Sequence, residues 1–284
     1  MATQLLTRAG LRPKTVIPGF GITLGVTLTW LSLIVLLPLL ALVIKTTELS
    51  FARFIAVVTA ERTLHALGIS FGLSFLAALI NGVLGTIVVW VLVRYDFPFR
   101  RVVDAIVDVP FALPTAVAGI ALTAIYAENG WVGSLLAPLG IKVAFTPLGI
   151  LVALVFIGLP FVVRTVQPVL ADLNRELEEA SASLGASRGQ TVWRVVLPSV
   201  GPSLITGVAL AFARAVGEYG SVIFIAGNLP GVTEIAPLLI VIRLEEFRYA
   251  DATAIAVVML LASLLLLLVI NGLQRWAEQR GRTA

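Results

Sequence analysis

An all-α, polytopic membrane fold with about six transmembrane helices is predicted by three features of the sequence. Of its 284 residues, 59% are hydrophobic and only 13% are charged, against roughly 25% charged in a soluble domain. The apolar residues gather into six blocks, each long enough for the roughly 20 residues of helix that cross a bilayer. Between the fourth and fifth blocks lies a charged, helix-prone segment at 169–199, and no other change of composition marks a second domain. Residues 1–284 therefore read as one transmembrane domain with a polar loop inside it.

Composition also excludes chemistry. The chain has no cysteine, which removes disulfides, thiolate metal sites and thiol catalysis. Its one histidine, His65, leaves little material for a zinc site or a serine–histidine triad. Neither a catalytic nor a metal-ligating residue is expected. The net charge of +4 is explained by membrane topology rather than by nucleic acid.

In chain order, the expected spans are about 18–44, 65–93, 105–126, 147–168, 200–226 and 250–272. Arg8, Arg12 and Lys14 precede the first. The apolar run they introduce far exceeds the roughly 7–15 residues of a signal-peptide core, so it reads as a retained span. In the second, Gly68, Gly72, Gly82 and Gly85 permit close helix contacts, and Asn81 is expected to make an interhelical hydrogen bond. Pro110 and Pro114 share a face of the third and predict a kink. In the sixth, Leu264 to Leu268 are apolar all round and suit a lipid-facing position. Ile235 to Ile242 is apolar but too short to span, and reads as an interfacial or re-entrant helix. Trp131 to Phe145 reads as a second shallow element.

Lysines and arginines set the orientation. With the N-terminus inside, thirteen fall on the cytoplasmic side: Arg8, Arg12, Lys14, Arg94, Arg100, Arg101, Arg164, Arg175, Arg188, Arg194, Arg275, Arg280 and Arg282. Six fall outside: Lys45, Arg53, Arg62, Lys142, Arg243 and Arg248. The positive-inside rule places both termini and the 169–199 loop in the cytoplasm. His65 then sits at the outer edge as an interfacial polar residue, and Arg164 at the cytoplasmic edge, where it is expected to snorkel. Asp104 and Asp108 are expected at the positive N-terminal end of the third span, within reach of Arg100 and Arg101.

The polar loop has its own pattern. Residues 173–184 are rich in Glu, Ala and Leu and predict a helix. Gly185 suits its C-terminal stop. Ser187 and Gln190 predict a capping box opening a second short helix, with Val192, Trp193 and Val196 on its apolar side and Pro198 as its stop.

Glu179-Ala180-Ser181, then Gly185, then Val195, Leu197 and Pro198 resemble the EAA motif of permease subunits of ABC importers, with Ser181 and Val195 as mild departures. The likeness extends along almost the whole chain, through Asp108 to Gly119, Phe161 to Leu170 and Phe212 to Asn228, and is strongest to the sulfate/thiosulfate permease type, CysT or CysU. The resemblance implies a type I importer permease fold (MetI-like), a bacterial inner-membrane location and a coupling helix that docks on an ATP-hydrolysing subunit. It implies as partners a homologous CysW-type permease, two CysA-type ATP-binding subunits and an extracytoplasmic sulfate/thiosulfate-binding protein. ATP and Mg would be used by those partners, with no cofactor on this chain, which lacks the phosphate-binding G-x-x-x-x-G-K-[ST] loop. Molybdate and tungstate permeases share an Arg-x-x-Gly-Glu stretch and form the rival cargo reading. An intramembrane enzyme, the rival of another class, would need a mid-span Asp pair or a His-Glu-x-x-His helix.

Arg214 and Glu218 lie four apart in an apolar block, on one helical face. A charge at membrane depth costs roughly 2.5–3.5 kcal/mol on insertion scales and usually faces a bundle interior or aqueous cavity. Two readings are open: the pair lines the anion path, or it is a structural pair. Thr115, Tyr219 and Ser221 are path candidates by residue type, because hydroxyl and N–H groups can meet an oxyanion without a full positive charge.

Overall fold

The computed structural model describes residues 20–281, with side chains to residue 270. Arg8, Arg12, Lys14 and Arg282 lie outside the described residues. Helix α1 is Phe20–Thr46, α2 Phe51–Val58, α3 Glu61–Arg94 and α4 Arg100–Val107. There follow α5 Val109–Ala112, α6 Thr115–Tyr126, α7 Pro147–Asp172 and α8 Arg175–Ser183. The chain continues with α9 Arg188–Val216, α10 Ala236–Glu245 and α11 Tyr249–Gly281. Among the described residues there is no strand. Helices α1, α3, α7, α9 and the Tyr249–Ile270 part of α11 are long and apolar enough to cross a membrane.

The core is the triple contact of α3, α7 and α9. Lipid tails are as apolar as leucine, so helices in a bilayer associate through close packing of small residues rather than by escaping water. Ala77, Ala78, Gly82 and Gly85 of α3, Ala153 and Gly158 of α7, and Gly207, Ala211 and Ala215 of α9 are all buried here. Val162 fills the space between two glycines. A Cβ on Gly85 would stand 2.7 Å from its Cγ1, and one on Gly207 2.9 Å from its Cα. Of the four glycines expected to allow close contact, Gly82 and Gly85 do so. Added Cβ atoms at Gly68 and Gly72 would meet nothing.

Helix α1 has no buried residue and touches the rest through its second half, against α11. Helix α10, ten residues long, packs between α11 and α3 as the short apolar element expected there. Arg62 of α3 donates from Nε and Nη2 to both carboxylate oxygens of buried Glu234 (2.8 and 2.7 Å), and Ser70 Oγ accepts from the Ala236 N–H at the start of α10 (2.8 Å). Asp251 is held by Arg53 (3.0 Å) and Arg248 (2.8 Å). In the 131–145 region, Trp131 is exposed beside the short helix Gly133–Leu136. Lys142 donates to Glu128 across 2.7 Å and holds that carboxyl below its usual range. Leu264, Leu265 and Leu268 face outward.

Two expected spans are broken. The third is three pieces, α4, α5 and α6, interrupted at Asp108 and again at Leu113–Pro114. There the backbone is extended (Leu113 φ −83°, ψ 134°) rather than kinked within a helix. Proline disfavours helix in the residue before it, and two prolines four apart leave too little helix between them to bridge both. The fifth span stops at Val216, not at 226. Gly217 caps it, and the chain turns through 217–221 into a one-turn helix, Val222–Ile225.

Candidate functional site

The polar insert is shorter than 169–199, because α7 runs to Asp172 and α9 begins at Arg188. Helix α8 opens on Asn174, whose Oδ1 accepts from the Glu176 N–H (3.0 Å), with Glu176 and Glu178 in the first turn. Carboxylates there favour the positive end of the helix dipole. Gly185 ends it at φ +83°, with the Ala186 N–H reaching back to Ser181 O at 3.1 Å. This left-handed closure needs a residue without a Cβ penalty. Ser187 and Gln190 form the capping box reciprocally, at 2.8 and 3.4 Å. Ser181 Oγ and Thr191 Oγ1 lie 2.9 Å apart and clasp α8 to the start of α9. Ser181, which departs from the family pattern, makes a bond that alanine could not.

Pro198 does not stop the second helix. Residues Val192–Val196 form a π-helical turn, and the Leu197 N–H pairs with Val192 O, five residues back. The wider turn shifts the hydrogen-bond register just before the residue that has no N–H to give. The helix therefore continues from Arg188 to Val216 as one rod. Ser32–Leu36 in α1 precedes Pro38 in the same way.

The seven expected coupling residues divide. Ala180, Ser181, Gly185 and Val195 line one shallow hollow of about 550 Å³, rimmed by Leu177 and the 89%-exposed Leu184. Glu179 lines a second, polar cavity, Leu197 lines an apolar groove, and Pro198 is exposed on the rod. Val196 is buried in the core while Trp193 is exposed, so the second helix presents its apolar side in two directions.

Sequence reasoning missed the tie between α8 and the membrane core. Arg94 Nη2, at the end of α3, lies 2.6 Å from Glu178 Oε1, off the line of the N–H bond. The two side chains are 9% and 25% exposed. Arg94 was legible as the charge closing an apolar block; which of Glu178 and Glu179 turns back to meet it was not.

Arg164 does not snorkel. Its Nε and Nη2 donate to the two oxygens of Asp108 (both 2.7 Å), Nη1 to Asp104 Oδ1 (2.7 Å) and Nη2 to the Asp104 carbonyl (2.8 Å). Gln167 joins through Oε1 at 2.5 Å from Arg164 and Nε2 at 3.2 Å from Asp104. The guanidinium of α7 thus clamps the break between α4 and α5. Asp104 lies inside α4 rather than at its start, Asp108 ends α4 and caps the start of α5 without a side-chain capping bond, and Arg100 pairs with Asp96 (3.0 Å) rather than with either. A bidentate fork with further donors to spare is geometry only arginine offers.

The path candidates meet where the two broken spans touch. Arg214 is in the last turn of α9, and Glu218 lies just past its end rather than within it. Arg214 Nη1 and Glu218 Oε2 are 2.5 Å apart, the arginine 34% exposed and the glutamate 2%. Glu218 Oε1 accepts from the Ser221 N–H (2.9 Å) and hydroxyl (3.0 Å). A Cβ on Gly119 would stand 2.4 Å from the Ser221 carbonyl oxygen, and one on Gly220 2.2 Å from Thr115 Oγ1. The first turns of α6 therefore lie directly against 217–221. Thr115, Arg214, Glu218 and Ser221 belong to this junction, and Tyr219, half-buried, packs on the neighbouring apolar cluster. Asn81 does not make the expected interhelical bond: both its polar side-chain atoms are buried without a partner, with Nδ2 against Gly158. His65 is exposed, 3.8 Å from Glu61. Among the described residues no acidic or histidine cluster converges on a metal site.

The chain is similar to known transport proteins along nearly its full length. Residues 82–283 match the family described as binding-protein-dependent transport system inner membrane component. The "sulfate transport system permease protein CysT" of Synechocystis sp. is 51% identical over 254 residues, 89% of each chain. The protein of that name in Escherichia coli K12 is 50% identical over 261 residues, 92% of this chain and 94% of its own. Among solved structures, a bacterial alginate importer bound to its pentasaccharide-loaded periplasmic protein has a chain superposing with a TM-score of 0.75 at 19% identity, over 90% of this chain and 93% of that one. A chain of the inward-facing MetNI methionine transporter gives 0.57 at 18% identity, over 75% and 95%. With a family match over most of its length and relatives at half identity, this chain belongs to the inner membrane components of binding-protein-dependent transport systems.

Proposed function

We propose that this chain is the permease subunit of an ATP-driven importer that moves sulfate, and with it thiosulfate, into the cytoplasm by alternating access. The observation that carries the reading is half identity over nine-tenths of the chain to proteins named sulfate transport permeases. Both termini and α8 face the cytoplasm on the arginine and lysine distribution. The partners are a homologous CysW-type permease, two CysA-type subunits that hold ATP and Mg, and an extracytoplasmic sulfate/thiosulfate-binding protein.

The hollow of Ala180, Ser181, Gly185 and Val195 is the docking face for an ATP-binding subunit. Gly185, the capping box and the Ser181–Thr191 clasp make α8 and α9 one stiff unit, and a stiff unit transmits rigid-body motion where a slack loop would absorb it. The motion enters α3 through Arg94–Glu178 and α9 through its unbroken backbone. At the far end of α9, Arg214 meets the anion. Its guanidinium carries five N–H donors, of which Glu218 occupies one face. The paired carboxylate cancels the net charge, so a dianion finds directional donors without a deep electrostatic trap. Passage requires binding weak enough to leave.

Labelled sulfate uptake in cells lacking this gene and re-expressing it tests the proposal. Uptake restored by the gene, competed by thiosulfate and not by molybdate, is expected. Competition by molybdate at lower concentration than thiosulfate overturns the cargo assignment.

A further inference from the structure

Two adjoining cavities lie where α3, α7, α8 and the π-helical turn of α9 converge. One is an apolar groove of about 490 Å³ walled by Ile87, Trp90, Val166, Leu170, Val196 and Val200. The other is polar, also about 490 Å³, and holds Arg94, Arg175, Glu178 and Glu179. They share Trp90, Tyr95, Arg188 and Val192 as their common edge.

We propose that this paired groove is a binding site for an anionic phospholipid of the membrane leaflet on the α8 side, acyl chain in the apolar part and headgroup phosphate on Arg188. The site does not depend on which anion the chain transports. The groove walls belong to α3, α7 and α9, three helices long and apolar enough to cross a membrane, and acyl chain is the solvent such helices meet. Its mouth carries Trp90, Tyr95 and the exposed Trp193, the amphipathic rings that settle at headgroup depth. Charge decides the headgroup. Arg94 is neutralised by Glu178 at 2.6 Å, which leaves Arg175 and Arg188 facing Glu179 across the polar cavity. Among the described residues neither guanidinium has an ion-pair or hydrogen-bond partner. The net single positive charge complements one phosphodiester. A basic residue near the membrane surface favours an anionic lipid by about fivefold over a neutral one.

The purified transport assembly containing this chain, exchanged into dioleoyl phosphatidylglycerol or dioleoyl phosphatidylcholine and examined by native mass spectrometry, tests the site. A Cβ at Gly189, on the groove wall, would meet no atom within 4 Å, so Gly189→Trp fills the groove without a backbone clash. Arg188→Gln changes only an exposed side chain. The wild type is expected to retain phosphatidylglycerol about fivefold better than phosphatidylcholine, Arg188→Gln to lose that preference, and Gly189→Trp to retain one lipid fewer per copy. Equal retention of the two lipids by the wild type, or unchanged retention in Gly189→Trp, overturns the proposal. So does a photo-crosslinker at Trp193 that labels a protein subunit instead of lipid, because the groove is then a subunit contact.

Discussion

Arg94 closes the longest core helix, and its guanidinium stands 2.6 Å from the carboxylate of Glu178 on the first turn of α8. The polar insert is therefore docked on the membrane core by charge as well as by chain connection. Removing either partner leaves the other largely shielded from water, at a cost of about 1–3 kcal/mol. In Arg94→Ala, sulfate transported per ATP hydrolysed is expected to fall about tenfold, the factor that 1.4 kcal/mol represents. The exchange Arg94→Glu with Glu178→Arg should recover part of it. Wild-type coupling in Arg94→Ala would remove the pair from the transmission path.

Gly185 tests the turn rather than the space around it. A Cβ there meets nothing, yet φ is +83°, which costs a residue with a side chain roughly 1–2 kcal/mol. Gly185→Leu is expected to insert normally and lose most sulfate uptake, whereas Gly185→Asn, which tolerates the left-handed region, keeps most of it. Normal uptake in Gly185→Leu refutes the turn's role. Equal loss in both variants would assign the requirement to the docked partner instead.

Arg214 separates path from scaffold. Arg214→Ala strands the buried carboxylate of Glu218, so reduced abundance is expected. Adding Glu218→Gln should restore abundance but not uptake. Recovery of uptake in the double variant would make the pair structural only. Arg164→Ala is expected to act on abundance, since it empties the clamp on Asp104 and Asp108. At matched abundance its uptake should exceed that of Arg214→Ala.

The contact of the two broken spans has its own probe. In Gly119→Ala the new methyl would stand 2.4 Å from the Ser221 carbonyl oxygen, a backbone atom that cannot swing aside. More than tenfold loss of uptake is expected. Gly68→Ala, where nothing lies within 4 Å, is the matched control and should transport normally. Comparable uptake in the two variants would show that the junction tolerates separation.

The sequence made the local features legible where a residue type has one geometric use. Gly185 at positive φ, the Ser187–Gln190 box and the five long spans are of that kind. It misled where neighbours in space decide. Pro198 looked like a stop because proline lacks an N–H, but a one-residue register shift, with the Leu197 N–H bonded five residues back, accommodates it. Arg164 looked like a snorkelling residue because its partners, Asp104 and Asp108, lie sixty and fifty-six positions away. Pro110 and Pro114 were visible, but a kink and a full interruption share one signature. Asn81 was expected to find a partner, and the small residues that bring α3 and α7 together leave it none.

The π-helical turn of α9 bears on direction as well as continuity. The 29 residues of Arg188–Val216, at about 1.5 Å each, make a rod roughly 43 Å long, and a tilt of about 10° at one end sweeps the other through about 7 Å. The wide turn also sets the phase of that rod, since one residue inserted into a helix rotates everything beyond it by about 100°. Where Arg214 points is thus decided beside α8, at the opposite end of the rod, and a single-residue deletion in 192–196 would aim it elsewhere while leaving every side chain of the far end unchanged.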